Sequence, residues 1–299
     1  MEKRRLGQTD MQVSVLGFGG AEIGFEQASA ETVKKVLESA LDAGLNMIDT
    51  AECYKESEAL IGKTVSHRRK DYYLFSKCGH ASGFDSPDWD LGMLADSIDR
   101  SLERLQTDYI DLMQLHGCSE EILRQGGVIE VLQRAKEAGK IRYLGYSGDG
   151  PKALYAVQCG AFDTLQTSIS IADQEALELT IPEAQKRGMG IIAKRPIANV
   201  VWKFGEIPDN SVHKTYWERL QELDYGFLKT DLNSSVETAL RFTLSVPGVG
   251  TAIVGTSNPD RWVSNAVLAN KGVLPSEQLE AIRDRWSAVS AGRNWIGMG

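Results

Sequence analysis

Four side chains in the first 116 residues could together deliver a proton to a carbonyl oxygen: the acid Asp49, the phenol Tyr54, the amine Lys77 and the imidazole His116. Free tyrosine ionises near ~10, too high to release a proton readily at neutral pH. A lysine ammonium beside the phenol favours phenolate and lowers that value. The aspartate would hold the lysine in place and charged, while the histidine would fix the substrate oxygen by a hydrogen bond. When hydride reaches the carbonyl carbon, negative charge builds on that oxygen; Tyr54 would protonate it and His116 would orient it. Taken singly, each residue has a plainer reading. Asp49 suits a turn or helix cap, Tyr54 a packed rim aromatic, Lys77 a solvated charge and His116 a hydrogen-bonded core histidine. Only a shared location makes them a site.

That location follows from the elements that carry them. Eight short apolar runs read as strands: 15–19, 46–50, 72–77, 109–116, 141–147, 162–167, 190–194 and 251–255. Most are continuous rather than alternating, as expected for parallel strands buried on both faces. Amphipathic helices lie between them. Val33, Val36, Leu37, Ala40 and Leu41 form one stripe, with Gly44 just beyond the end. Leu91, Leu94, Ala95, Ile98, Leu102 and Leu105 form a second, and Val128, Val131, Leu132 and Ala135 a third, stopped by Gly139. At "LTIPEAQKRGMG" Thr180 is expected to cap a helix whose first turn holds Pro182.

Eight alternating β/α units in 299 residues imply an α/β fold, a (β/α)8 TIM barrel formed by residues 1–299 as one domain. The rival, a doubly wound open sheet, lacks its glycine fingerprint: "GFGGAEIG" leads into no immediate helix. The leading "RRLGQTDMQVSVLG" reads as a β-hairpin plug at the N-terminal end of the barrel. Residues 196–232 form a long loop after the seventh strand, carrying Trp202, Phe204, Tyr216 and Trp217. Barrel enzymes hold their chemistry at the C-terminal ends of the strands. Asp49 and Tyr54 follow the second strand, Lys77 the third and His116 the fourth; Ser147 and Gln166 end the fifth and sixth, and Lys194 and Arg195 the seventh.

The remaining composition narrows the function class. A net charge of −8 argues against a general affinity for nucleic acid or an anionic membrane. The first residues, "MEKRRLGQTDM", hold no apolar run suited to a signal peptide, and no stretch approaches a transmembrane span. The four cysteines, Cys53, Cys78, Cys118 and Cys159, are too few for a disulfide scaffold and read as reduced thiols of a cytoplasmic protein. Cys53, Cys78, His80, His116 and Cys118 lie near one rim and include good zinc-ligand types. No CxxC or HExxH spacing organises them, so no metal is expected. The cysteines suit rim packing, though Lys77 next to Cys78 and near Cys53 also suits a reactive thiol.

One segment is chemically informative from below. After the eighth strand, Gly255, Thr256 and Ser257 form a turn, and Asn258 or Ser257 can cap the helix opening at Pro259. The free N–H groups of such a helix end bind phosphate, and loops after strands seven and eight are the usual place for it in a TIM barrel. An ordinary capped helix is the plainer reading.

The motifs "GLNMIDTAECYKESEALIG", "LFSKCG", "YIDLMQLHG", "KIRYLGYSG", "FDTLQTSIS" and "VGTSNPDRWVSNA" resemble, in order and rough spacing, those of the aldo-keto reductase family across nearly the whole chain. The resemblance implies a catalytic tetrad of Asp49, Tyr54, Lys77 and His116, with Tyr54 the acid/base. It also implies NADP(H) bound extended across the barrel mouth, with NAD(H) as the alternative. Thr256 and Arg261 match positions that hold the adenosine 2'-phosphate, Asn265 one that holds adenine, and Ser147 and Gln166 positions that bind the carboxamide. Gly19 and Gly20 after the first strand, Arg195, Pro196, Ile197 and Asn199 after the seventh, and Gly255 and Ser257 after the eighth are expected along the same cofactor, as is Asp49.

The chain also departs from the family pattern. Gly255 stands where strongly NADPH-preferring members often have lysine, leaving the positive charge to Arg261. Lys194 replaces the aromatic that stacks on nicotinamide in many members, so Arg195 or a loop aromatic is the candidate. Gly148 replaces a common asparagine, and Lys55 stands where glycine is usual. The expected substrate is a small carbonyl or alcohol, a sugar among the candidates, in a pocket walled by residues 80–90, residues 196–232 and the C-terminal "SAGRNWIGMG". Trp89, Trp202, Trp217 and Trp295 would give that pocket a stacking surface, or simply cover the barrel. Two other readings are a cofactor-sensing regulatory subunit with slow turnover and a metal-dependent barrel hydrolase. Oligomeric state is not encoded in any of these features.

Overall fold

The computed structural model describes residues 1–298. Strands β1 (Lys3–Arg5) and β2 (Gln12–Ser14) pair as an antiparallel hairpin. Eight parallel strands then close into a barrel. They are β3 (Leu16–Gly19), β4 (Met47–Asp49), β5 (Tyr73–Cys78), β6 (Ile110–His116), β7 (Ile141–Ser147), β8 (Thr164–Ser168), β9 (Gly190–Lys194) and β10 (Val249–Val254), with β10 pairing back onto β3. All eight fall within two residues of the stretches expected from apolar runs.

Strand alternation decides what the barrel contains. Met47, Phe75, Leu112 and Ile192 point inward at the N-terminal end, where Leu6, Met11 and Val13 of the hairpin close over them. The hairpin therefore plugs the barrel floor. Each fully buried side chain there contributes about 1.5–3 kcal/mol relative to exposure. Truncating one, as in Leu112→Ala, should cost about 2–5 kcal/mol through the cavity it leaves. Two residues further along β4, β5 and β6 the same inward face carries Asp49, Lys77 and Gln114. The floor is thus apolar and the upper layer polar.

The outward faces pack against helices. Ala30–Asp42 buries Val33, Val36, Leu37, Ala40 and Leu41, and its N-cap Ser29 accepts from Thr32 N–H. Gly127–Glu137 buries Val128, Val131, Leu132 and Ala135. The helix Leu91–Leu105 is rotated from the expected stripe: Met93, Ser97 and Ser101 are buried with Leu94, Ile98 and Leu105, whereas Leu91 is 46% exposed. Small serines on that face let the helix pack closely on the buried carboxyl of Glu58, whose Oε1 accepts from Ser76 Oγ at 2.6 Å.

Two local expectations are corrected. Thr180 caps no N–H; its backbone is already helical, and its hydroxyl donates to Ala176 C=O at 3.4 Å because a short helix, Ala176–Leu179, runs directly into Ile181–Lys186. The segment 196–232 is largely ordered structure. It contains the helix Ser211–Leu223, capped by Asn210 accepting from Val212 and His213 N–H, and short 3-10 turns at Ala198–Lys203 and Gly226–Lys229. Tyr216, Leu220, Leu223 and Tyr225 pack there with Phe242, Ile282 and Trp286 as a satellite core. Among the described residues no helix is long and apolar enough to cross a membrane.

Candidate active site

Asp49 is the centre of the polar layer inside the barrel. Its Oδ2 accepts from Lys77 Nζ at 2.5 Å, and its Oδ1 accepts from Gln114 Nε2 at 3.1 Å and Gln166 Nε2 at 2.8 Å. Lys77 also donates to the Thr50 carbonyl at 2.8 Å and is 1% exposed, so this charge is not solvated. Burial alone would lower the Lys77 pKa, but the Asp49 carboxylate together with Tyr54 and Cys53 offsets it and holds the amine above its ordinary value. Gln114 was not singled out from sequence. Its signal was there: it lies two residues before His116, on the same inward face of a buried strand.

Tyr54 stands on the turn after β4, its ring centroid 5.0 Å from Lys77 Nζ and 5.7 Å from the His116 ring, edge to face. Gly24 makes room for that turn, since a Cβ there would lie 2.0 Å from the Tyr54 carbonyl oxygen. The next residue, Lys55, has φ of +50°, which explains why glycine suits that position. The expectation that Lys77 lowers the phenol's pKa is corrected in magnitude. Burial pushes Tyr54 above the ordinary tyrosine value, and Lys77 offsets only part of that rise. In this state Tyr54 is a neutral phenol, the form a proton donor needs.

His116 is held neutral, its pKa pushed well below the usual imidazole value by burial and then by Lys77 and Lys194. Cys53 Sγ lies 3.4 Å from its Nδ1. Burial raises the Cys53 thiol to about 11, so the sulfur keeps its hydrogen and can donate to or accept from Nδ1 according to the ring tautomer. With the thiol as donor, the ring hydrogen sits on Nε2. Burial likewise raises Cys78 well above the ordinary thiol value and Cys118 to about 12, so neither Cys53 nor Cys78 is an activated thiol. Among the described residues no group of three or more His, Cys, Asp or Glu side chains is placed to hold a metal ion.

A cavity of about 740 Å³ opens at the C-terminal end of the strands. Asp49, Tyr54 and His116 line it, and Lys77 lies beneath it behind Asp49. Gly19, Gly20, Ser147 and Gln166 line it from the strand ends; Arg195, Pro196, Ile197 and Asn199 from the segment after β9; Gly255, Thr256, Ser257, Arg261 and Asn265 from the turn and helix after β10. Ser147 Oγ donates to Gln166 Oε1 at 3.0 Å, fixing the amide whose nitrogen reaches Asp49. Thr256 Oγ1 accepts from Asn258 N–H, and Asn258 caps the helix Pro259–Ala269 through Asp260 and Arg261 N–H. The backbone of Arg195, Ala198, Asn199 and Val200 is left-handed, with Val200 at φ +53° the most strained because it is β-branched.

Lys194, Arg195 and Phe204 line the cavity as the sequence suggested, whereas His213, Glu22 and Glu26 were not singled out from it. Lys194 is committed to Asp149 at 3.0 Å, and Arg195 donates to Ser168 Oγ at 3.2 Å and to the Met298 carbonyl. Phe204 is the aromatic of the 196–232 segment that reaches the cavity, with His213 beside it. Glu22 and Glu26 also line the cavity: a Cβ on Gly255 would lie 1.6 Å from Glu22 Oε2, and Ser257 Oγ donates to Glu26 Oε2 at 2.6 Å. No periodicity announces a glutamate that folds back from a short helix, Ala21–Phe25, onto a turn more than two hundred residues later. At Gly148 a Cβ would meet the Tyr146 ring at 2.7 Å, so a larger side chain there would require Tyr146 to move.

The four tryptophans do not form the expected stacking wall. Trp202 and Trp217 turn their Nε1–H groups to Ser235 Oγ and the Phe204 carbonyl, and Trp295 packs on Trp286. Trp89 packs over Gly79 and beside His80, so it supports the rim from behind.

The sequence model of the Aldo/keto reductase family matches residues 15–286. The chain belongs to the aldo/keto reductase family. It is 28% identical to the uncharacterized oxidoreductase YqkF of Bacillus subtilis (strain 168), over 95% of this chain and 96% of that protein. It is 27% identical to an L-galactose dehydrogenase of Arabidopsis thaliana, over 97% and 94% respectively. Among solved structures it is similar to the holo form of an aldo-keto reductase from Bacillus halodurans, with a TM-score of 0.82, 28% identity, and 95% and 96% of the two chains covered. This aldo/keto reductase thus has the closed eight-stranded parallel barrel of its family.

Proposed function

We propose that this chain is a cytoplasmic NAD(P)H-dependent oxidoreductase, residues 1–299 acting as one barrel domain, that interconverts a small carbonyl and its alcohol. The observation that carries the reading is a neutral, buried phenol lining the cavity, with a lysine ammonium against its ring and a neutral imidazole edge-on to it.

The residues of the long groove fit a dinucleotide. Asn265 Nδ2 is buried with no partner, an amide donor that an adenine ring could satisfy. The capped N-terminus of Pro259–Ala269 and the exposed Arg261 suit a phosphate. Ser147 and Gln166 would hold the carboxamide, and Gly19, Gly20, Arg195, Pro196, Ile197 and Asn199 would border the path between. NADP(H) is the favoured form because Arg261 can pair with a 2'-phosphate; Glu22 and Glu26 beside the same turn work against it and make NAD(H) the competing form.

When bound, the nicotinamide supplies the hydride in reduction and accepts it in oxidation. In the reducing direction His116 Nε2–H donates to the carbonyl oxygen and orients it. As charge builds there, Tyr54 transfers its hydroxyl proton to that oxygen. Lys77 then stabilises the phenolate left behind, and Asp49 keeps Lys77 fixed. Substrate candidates include sugars, in keeping with the similarity to an L-galactose dehydrogenase. Fluorescence titration with NADPH and NADH, followed by turnover on a panel of aldehydes, ketones and sugars, tests the reading. Cofactor binding with carbonyl reduction supports it, whereas no binding of either nucleotide removes it.

A further inference from the structure

A second histidine stands beside the first. His80 lines the cavity with its ring centroid 5.2 Å from that of His116, edge to face. Its Nδ1 lies 2.8 Å from Asp88 Oδ2, and Asp88 Oδ1 accepts from Ala81 N–H at 2.7 Å. Trp89 packs on the other side of the ring, 5.8 Å between centroids. The His80 ring is therefore fixed in plane by a tethered carboxylate and in position by two rings. A carboxylate can only accept, so the hydrogen sits on Nδ1 and, in the neutral ring, Nε2 carries a lone pair. The reductase reading gives His116 the opposite polarity, with the Cys53 thiol donating to Nδ1 and the ring hydrogen on Nε2. One cavity wall thus offers a donor and, one ring away, an acceptor.

We propose that His80, set by Asp88, accepts a hydrogen bond from a hydroxyl on the carbon next to the reacting carbonyl, so that the site selects 2-hydroxy aldehydes and ketones over plain ones. The inference rests on the reductase reading above. His116 would take the carbonyl oxygen and His80 the neighbouring O–H, a two-point match that a carbonyl lacking the hydroxyl cannot make. A site that hydrogen-bonds a substrate hydroxyl discriminates strongly against the analogue without it, because its own polar group is left unpaired. His80 and Asp88 are specificity and positioning residues in this scheme, and Tyr54 remains the proton donor.

Glyceraldehyde and propanal differ by hydroxylation and serve as probes. The full chain with its cofactor is expected to show a kcat/KM at least about tenfold higher for glyceraldehyde, expressed mainly in KM. His80→Phe keeps a ring between Trp89 and His116 but removes the acceptor. Asp88→Asn keeps the Ala81 contact and turns an N–H toward Nδ1, which moves the ring hydrogen to Nε2. His80→Phe is expected to abolish the preference and Asp88→Asn to reduce it, since an Nε2–H can still donate to a hydroxyl oxygen, while propanal turnover and cofactor affinity stay within about twofold. Equal turnover of the two aldehydes by the wild type, or equal loss on both in the variants, overturns the inference and leaves the reductase reading standing. Failure of the wild type to reduce propanal and every other carbonyl despite binding cofactor overturns the reductase reading itself, and this inference with it.

Discussion

Lys77 Nζ donates at 2.5 Å to Asp49 Oδ2 while lying 5.0 Å from the centroid of the Tyr54 ring. One buried cation is thus shared between a permanent anion and a group that becomes anionic when it gives up its proton. Removing it in Lys77→Met should leave Asp49 with its two glutamine donors but no countercharge. Breaking one side of a buried ion pair costs about 3–5 kcal/mol. Denaturant unfolding is expected to record a loss of that order, with turnover falling further than stability alone accounts for. Lys77 has a raised pKa in the fold, so the pair's contribution is present below the ordinary lysine value and is lost as pH rises through the folded value. The stability gap between wild type and variant should therefore close only in strongly alkaline solution.

The pH dependence of reduction follows from two opposite shifts. Tyr54 is raised above the ordinary tyrosine value, so the proposed proton donor keeps its proton and stays neutral through neutral pH, losing it only as pH rises above about 10. His116 is lowered well below the imidazole value, so it stays neutral as pH falls through about 6.5. A kcat/KM profile for reduction is expected to be flat across the neutral range with an alkaline limb. An acid limb centred near the ordinary imidazole value and abolished by His116→Gln would contradict the assignment of a neutral ring.

In the proposed reading, cofactor choice turns on the mouth of β10. Arg261→Ala should weaken NADPH binding about tenfold or more and leave NADH within about twofold, because one charge-assisted contact to a 2'-phosphate is removed. Glu26→Gln should act the other way: it removes a negative charge from the turn while the amide can still accept from Ser257. Parallel fluorescence titrations of the two nucleotides read both effects. Equal changes for NADPH and NADH in either variant would place the 2'-phosphate elsewhere.

The barrel was legible because its strands are buried on both faces. Such strands must be apolar throughout, so the eight runs marked themselves, and strand ends then gathered Asp49, Tyr54, Lys77 and His116 onto one rim. What stayed hidden depends on packing that no local pattern encodes. Thr180 follows a helix that was not anticipated, so its hydroxyl back-bonds instead of capping. The helix Ser211–Leu223 carries Val212, Tyr216, Leu220 and Leu223 at helical spacing after a capping asparagine, but the aromatics nearby drew it toward a binding loop. The four tryptophans looked like a substrate wall, yet Trp202, Trp217 and Trp295 are taken up by Ser235, Phe204 and Trp286, and Trp89 packs over Gly79 and beside His80. The phenol's pKa was read from its lysine neighbour alone, whereas burial, which sequence does not quantify, is the larger effect.

The most direct test of the account is Tyr54→Phe, which removes one oxygen atom and leaves the ring that packs against Lys77 and His116. NADPH affinity by fluorescence titration is expected to stay within about twofold of wild type, while kcat for carbonyl reduction falls by about 100- to 10,000-fold. A variant that binds the cofactor normally and still reduces carbonyls at the wild-type rate would contradict Tyr54 as the proton donor.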